Sequence, residues 1–306
     1  MPYLCNGEIP PYQKTAVALG NFDGLHIGHM AVIHAAMQAA GQDMVPAVLK
    51  FREHPFFASG QSANQPYLLL SEPECEKRLR EQGVAVYTYD FSAVRSLSPQ
   101  AFVTDILARE LHATAVSCGY NYRFGKDAAG DAALLRTLCE ACGIEVHVCN
   151  EIFYQGEPVS STAIRRALLA GDMQKANGML GYLYSYDYTV VTGDQRGRLL
   201  GAPTINQFFP KEVLVPRYGV YASRVTVADK TYAGVTNIGL RPTIGHSAPR
   251  SETYIEGFRG DLYGQNPKVA LLQFLRPEIK FDSLEQLSAQ IASDAKRAAD
   301  IVRESQ

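Results

Sequence analysis

The sequence predicts an α/β domain built on a Rossmann-like parallel sheet, followed by a small antiparallel β-barrel domain with a C-terminal helix. Three observations predict it. Over the first ~180 residues, short β-branched runs alternate with helical patterns, the signature of parallel strands with crossover helices. From about Tyr184 the pattern becomes short strands punctuated by Gly, Pro and Asn, which suits a barrel or sandwich. The chain closes on one helical run, SLEQLSAQIASDAKRAADIVRES. The boundary falls near Gly181 to Asp187, dividing the chain into domains 1–182 and 183–306.

In the first domain TAVALGN is a strand and GHMAVIHAAMQAAG a helix. MVPAVLKF is the second strand, EPECEKRLREQG the next helix and VAVYTYDF the third strand. SPQAFVTDILARELH follows as a helix with Ser98 as N-cap and Pro99 at its first turn. TAVSCG and IEVHVC are strands around the helix AALLRTLCEACG. Two helical runs, SSTAIRRALLAG and DMQKANGMLG, close the domain. In the second domain the strands are YDYTVVTG, GVYASRVTV, KTYAGVTNIG, ETYIEGF and KVALLQFLR, and Asp282 or Ser283 caps the last helix.

Composition narrows the function. A formal net charge of -2 argues against a basic nucleic-acid binder or a polybasic membrane segment. No apolar run approaches the ~20 residues a membrane helix needs, and the first residues lack the pattern of a signal peptide. Cysteines at 5, 75, 118, 139, 142 and 149 are too sparse for a disulfide-stapled scaffold, so a reducing cytoplasm is expected. Cys139 and Cys142 form a C-x-x-C pair inside a helical run, with no second pair to complete a zinc site. Homo-oligomerisation is not legible.

The strongest local signal is GNFDGLHIGH, Gly20 to His29, lying between the first strand and the first helix. Ligands of open parallel sheets bind at such strand ends. Gly20, Gly24 and Gly28 allow close backbone approach, while Phe22 and Asp23 lie within the turn. The helix N-terminus favours phosphate, and His26 and His29 can donate to charge developing on it. GYNYRFGKD, from Gly119, is not a phosphate loop: five residues separate its glycines and Asp127 replaces the hydroxyl residue.

The H-x-G-H pattern resembles the nucleotidyltransferase superfamily, in which it grips ATP for attack at the α-phosphate. FREHP (Phe51 to Pro55), GYNYRFGKDAAGD (Gly119 to Asp131) and VSSTAIRRALLAGDMQKANGMLG (Val159 to Gly181) narrow the match. Together these segments resemble the adenylyltransferase module of the prokaryotic bifunctional riboflavin kinase/FMN adenylyltransferase family, also called FAD synthetase. The resemblance implies that Asn121, His26 and His29 contact ATP or the reacting phosphates. It also implies that Ser161, Thr162 and Arg165 hold phosphate near a helix start, as hydroxyls, amides and a guanidinium can. Tyr122 and Phe124 are either flavin-pocket residues or core.

The second half resembles the riboflavin kinase module of the same family. In GDQRGRLLGAPTIN, the resemblance implies that Gly193, Gly197, Gly201 and Pro203 wrap ATP phosphates and flavin. Thr204 and Asn206 supply oxygen ligands that suit Mg²⁺. VPRYGVYAS, TNIGLRPTIG, ETYIEGFRGDLYG and LQFLRPEIKFDSLEQL follow in the family's order. The resemblance implies that Glu252 is the general base for the ribityl 5′-hydroxyl, with Glu256 as the rival carboxylate. Regular alternation would put Glu252, Tyr254 and Glu256 on one strand face. Ala202, Ile205 and Ala299 depart from the family pattern, which places kinase rate and flavin affinity in question; Arg297 is the candidate substitute for a missing arginine at 299. The implied activity is ATP-dependent conversion of riboflavin to FMN and then of FMN to FAD. The alternatives are an FMN adenylyltransferase with a weak or lost kinase and a non-catalytic flavin-binding regulator.

Overall fold

The computed structural model describes residues 3–4, 13–52, 67–192, 204–240 and 248–305. The chain forms two compact units, Met1–Ser161 and Thr162–Gln306.

The first unit is a sheet of strands β1 (Tyr3–Leu4), β2 (Thr15–Leu19), β3 (Val45–Phe51), β4 (Ala85–Tyr89), β5 (Ala113–Gly119) and β6 (Glu145–Cys149). Their order is β1-β4-β3-β2-β5-β6; β1 is antiparallel to β4 and the remaining neighbours are parallel. Strand order reverses between β2 and β5, since β2 continues outward to β3 while β5 leads to β6. Such a reversal opens a crevice at the strands' carboxyl ends. Every residue of β2 is buried, as expected of a central strand covered on both faces.

Helices α1 (Ile27–Ala40) and α2 (Glu72–Glu81) supply Ile33 and Leu79 to one apolar cluster, with Ala18, Val48 and Val86 from the sheet. On the other face, Val17, Leu19 and Leu49 pack with Phe102, Leu107 and Leu135. These last three come from α3 (Pro99–Ala101 continuing through Phe102–Glu110) and α4 (Ala132–Glu140). The second part of α3 has wider, π-type turns; Leu111 N–H reaches back five residues to Ile106 O at 2.9 Å. Ser98 caps α3, accepting Ala101 N–H at 3.1 Å, with Pro99 in the first turn. A small hairpin, β7 (Phe153–Tyr154) and β8 (Glu157–Pro158), was not legible in the sequence.

α5 (Ser161–Ala170), which lies in the second unit from Thr162 on, and α6 (Met173–Leu180) precede an antiparallel sheet. Its strands are β9 (Ser185–Tyr186), β10 (Thr204–Phe208), β11 (Gly219–Val227), β12 (Lys230–Leu240), β13 (Pro249–Ile255) and β14 (Lys268–Arg276), in the order β10-β13-β12-β11-β14-β9. The sheet curls until its edges approach. Val191, just past β9, donates to Asn206 O of β10 at 2.9 Å, and Gln207 donates to Pro267 O at 3.1 Å. The expected strand YDYTVVTG is therefore a short strand plus one bridge. Asn177 joins α6 to the sheet, donating to Leu271 O and accepting Tyr184 N–H at 2.7 Å. Inside the curl, Ser223, Thr236 and Thr253 form a hydroxyl ladder with steps of 2.8 and 2.9 Å. Outside, Val220, Ala222, Val235 and Leu275 pack against Ala298 of α7 (Leu284–Glu304), which Ser283 caps.

Candidate functional site

The turn after β2 is assembled around a buried aromatic ring. Phe22 is fully buried with φ 54°, and Gly24 takes φ 85°, a left-handed backbone that glycine adopts without strain. The buried Asp23 carboxylate accepts Leu69 N–H at 2.8 Å, and Asp23 O accepts the Ser161 hydroxyl at 2.9 Å. Asp23 thus orders the turn.

The two histidines meet at the N-terminus of α1. His26 is its N-cap, and Nδ1 accepts His29 N–H at 3.2 Å. Nδ1 therefore carries no proton, and the ring's N–H is on Nε2. The imidazoles stack with centroids 3.6 Å apart and planes 16° from parallel, while Phe22 packs edge-on against His29 at 5.4 Å. A Cβ on Gly28 would lie 3.2 Å from the His26 ring, so glycine here leaves the ring room to stack without displacement. The stacked rings stand at the positive end of the α1 dipole, where an anion is favoured.

Asn121 lies on the same edge of the sheet, in the exposed turn after β5; a Cβ on Gly119 would stand 3.4 Å from its Oδ1. Phe124 belongs to the core, with Tyr122 packed against it. Asp127 has φ 57° and the run from Gly119 does not form a phosphate loop. Cys139 is fully buried and Cys142 partly so; both are free thiols. Thr162 and Arg165 belong to the second unit, at the start of α5. Glu53, His54 and Pro55 of FREHP lie outside the described residues.

An ion pair with a buried lysine borders this turn and was missed in the sequence. Lys50, 2% exposed at the end of β3, bonds Glu72 at the start of α2. Burial pulls the Lys50 pKa down, but neighbouring negative charge outweighs it and the net direction is up. Burial pushes Cys75 up to about 12, so that thiol is neutral at ordinary pH and Glu72 is the partner that holds the lysine charged.

In the second unit Thr204 and Asn206 open a strand, where the sequence placed the end of a loop. Asn206 is directly opposite Glu252, Thr204 opposite Tyr254, and Glu252 also opposite Asn237. Facing residues of paired strands share a face, so the amide and the carboxylate lie side by side. Ile205, opposite Thr253, points to the other face and adds no bulk beside Asn206. Glu256 lies past the end of β13 and is exposed, so the alternation joins Glu252 to Tyr254 only. Arg250 Nη2 donates to Glu252 Oε1 at 2.6 Å. Gly193, Gly197, Gly201, Ala202 and Pro203 lie outside the described residues. Ala299 is half-buried on α7; Arg297 projects about 200° round the helix from it, so it is no direct substitute.

Each unit has its own family match. A FAD synthetase model matches residues 9–163, and a riboflavin kinase model matches residues 180–302. A Listeria monocytogenes protein named bifunctional riboflavin kinase/FMN adenylyltransferase is 38% identical over 91% of this chain and 89% of its own length. The chain belongs to the bifunctional riboflavin kinase/FMN adenylyltransferase family. Family members from Escherichia coli K12 and Bacillus subtilis are 33% and 31% identical, each over 93% of this chain and 91% and 92% of their own lengths. A solved structure titled as a macrolide-efflux protein from Streptococcus pneumoniae has the same fold, with TM-score 0.85, 31% identity, and coverage of 95% of this chain and 96% of that one. Among the described residues no helix is long and apolar enough to cross a membrane. Against the family's two chemistries, the described geometry groups Gly20 to His29 with Asn121 and Ser161 in one unit, and Thr204, Asn206 and Glu252 in the other.

Proposed function

We propose that this chain phosphorylates riboflavin to FMN and adenylylates FMN to FAD, using ATP in both steps. The observation that carries this reading is that each unit presents its own polar site and its own family match. In the adenylyl step the FMN phosphate attacks the α-phosphorus of ATP and pyrophosphate leaves. FMN already carries an ionised nucleophile, so the chain needs to position and neutralise rather than to activate. Gly20, Phe22, Asp23, Gly24 and Gly28 shape the turn; His26 and His29 face the phosphates. Asn121, Ser161, Thr162 and Arg165 complete the ATP contacts.

In the kinase step the ribityl 5′-hydroxyl attacks the γ-phosphorus and ADP leaves. Glu252 takes the hydroxyl proton. Gly193, Gly197, Gly201 and Pro203 wrap the nucleotide. Thr204 and Asn206 fit Mg²⁺, because a hydroxyl and an amide oxygen are hard donors and Asn206 is a buried amide paired across the ladder with Glu252. When bound, the ion would neutralise charge on the transferring phosphate. The functional halves are 1–182 and 183–306, a boundary 21 residues beyond the division of the two compact units at Ser161/Thr162. Free thiols at Cys75, Cys118, Cys139, Cys142 and Cys149 support a reducing, cytoplasmic setting.

The test is a time course of purified protein with riboflavin, ATP and Mg²⁺, with flavins separated by chromatography. FMN followed by FAD is expected. FAD from supplied FMN, but nothing from riboflavin, would leave a lone adenylyltransferase. His29→Ala should lower FAD formation about 100-fold and spare FMN formation; Glu252→Ala should do the reverse. Equal damage to both activities by each variant would overturn the two-site reading.

A further inference from the structure

We propose that Lys50 is a positioning residue of the adenylyl site, fixing the turn before His26 through Glu72 and the first turn of α2. The inference rests on the reading of that turn as the ATP site. Lys50 follows Val48 by two positions on β3, so both side chains face the layer of α1 and α2. There Val48 packs with Ala18, Ile33 and Leu79, while Lys50 brings a charge into the same layer and bonds Glu72. β3 pairs with β2 up to Leu49 opposite Leu19, one residue short of Gly20, so the lysine is set by a strand that borders the turn. At 2% exposure its amine does not reach substrate, and its influence passes through Glu72.

The segment that Glu72 belongs to meets the turn at three places. Leu69 N–H donates to the Asp23 carboxylate at 2.8 Å. The Cys75 thiol donates to Phe22 O at 3.7 Å. The Leu69 side chain lies so close that a Cβ on Gly24 would stand 2.6 Å from its Cδ1. Glu72 stands between Leu69 and Cys75 in the chain, directly after the cap Ser71. Fixing Glu72 against the sheet therefore fixes the Phe22–Gly24 turn, and with it the stack of His26 on His29 that follows. Stability alone does not call for a charge here, because an apolar pair of similar volume is commonly as stable as a buried ion pair, or more so. What the pair adds is direction. A hydrogen bond holds its two atoms to a narrow range of distance and angle, whereas apolar contact is non-directional and lets α2 slide.

The test is steady-state kinetics of the full chain in both half-reactions, beside urea unfolding. Lys50→Met should lower kcat for FAD formation from FMN about tenfold, leave KM for FMN within about twofold, and leave FMN formation from riboflavin unchanged. The double variant Lys50→Met/Glu72→Leu, an apolar pair, should unfold at or near the wild-type urea midpoint and still show the tenfold loss. It carries the test should Lys50→Met alone fail to fold. Wild-type kcat in either variant, or an equal loss in both half-reactions, would overturn the positioning role while leaving the histidine turn as the ATP site. Undiminished FAD formation by His29→Ala, or none by the wild-type chain, would overturn the reading of the turn itself, and this role with it.

Discussion

Gly28 and the His26 ring are so close that the first prediction concerns a single methyl group. Gly28→Ala would put a Cβ 3.2 Å from that ring, so the ring must shift by a few tenths of an ångström against His29. FAD formation should drop about tenfold with FMN formation intact, measured in separate half-reactions. The Lys50–Glu72 pair makes a second, asymmetric prediction. Glu72→Ala strands a lysine that is 2% exposed, whereas Lys50→Met frees a carboxylate that is 40% exposed and can be hydrated. The first should destabilise the fold by about 3 kcal/mol and the second by much less, as read from urea unfolding. Held above its usual 10.5, Lys50 contributes fully below that pH and loses its contribution only as pH rises through the raised value.

At the scale of elements, α7 is fastened to the barrel by one buried carboxylate. Asp294 accepts two bonds from Arg276, at 2.8 and 3.0 Å, and one from Gln290 at 2.9 Å. Asp294→Ala leaves the Arg276 side chain, 17% exposed, without its counter-charge. We expect a loss of about 3 kcal/mol and faster amide exchange across 284–304, with exchange in the first unit unchanged. Loss of the cap in Ser283→Ala should cost only about 1 kcal/mol. If the two variants loosened α7 equally, the Arg276–Asp294 pair would not be its main fastening.

Over the whole molecule, the buried thiols set the alkaline limit. Burial pushes Cys75 and Cys139 up to about 12 and Cys118 up to about 11, from 9.0. Between pH 9 and 11 the unfolded chain therefore loses these protons while the folded chain keeps them. Ionisation then favours the unfolded state, and stability falls as pH rises. Each thiol adds a slope of about 1.4 kcal/mol per pH unit. All three lie in the first unit, so that unit should unfold first in alkali. Urea midpoints at pH 8, 9 and 10 measure this, and Cys139→Ala should shallow the decline. A midpoint constant over that range would contradict it.

Much of the fold is legible because its signals are local. The alternation of β-branched runs with helices, Ser98 and Pro99 opening α3, and Ser283 opening α7 each depend on residues within a turn or two. The H-x-G-H turn is legible for the same reason: glycine, cap and ring lie within four positions. By itself the sequence thus determined the two-part architecture, the histidine turn and the family that both halves resemble. What it left open depends on register and burial. TINQF follows the Gly- and Pro-punctuated run GDQRGRLLGAP and so reads as the end of a loop, and it becomes β10 because β13 completes its ladder. Asn237 and Glu278 lie in quoted family segments without an assigned role, and Arg250 lies in none; their contacts arise from strands that pair across long stretches of chain. Lys50 looked like an ordinary charge until packing buried it against Glu72. Only the tertiary structure decided these, because sequence order records neighbours along the chain, whereas register and desolvation select neighbours in space.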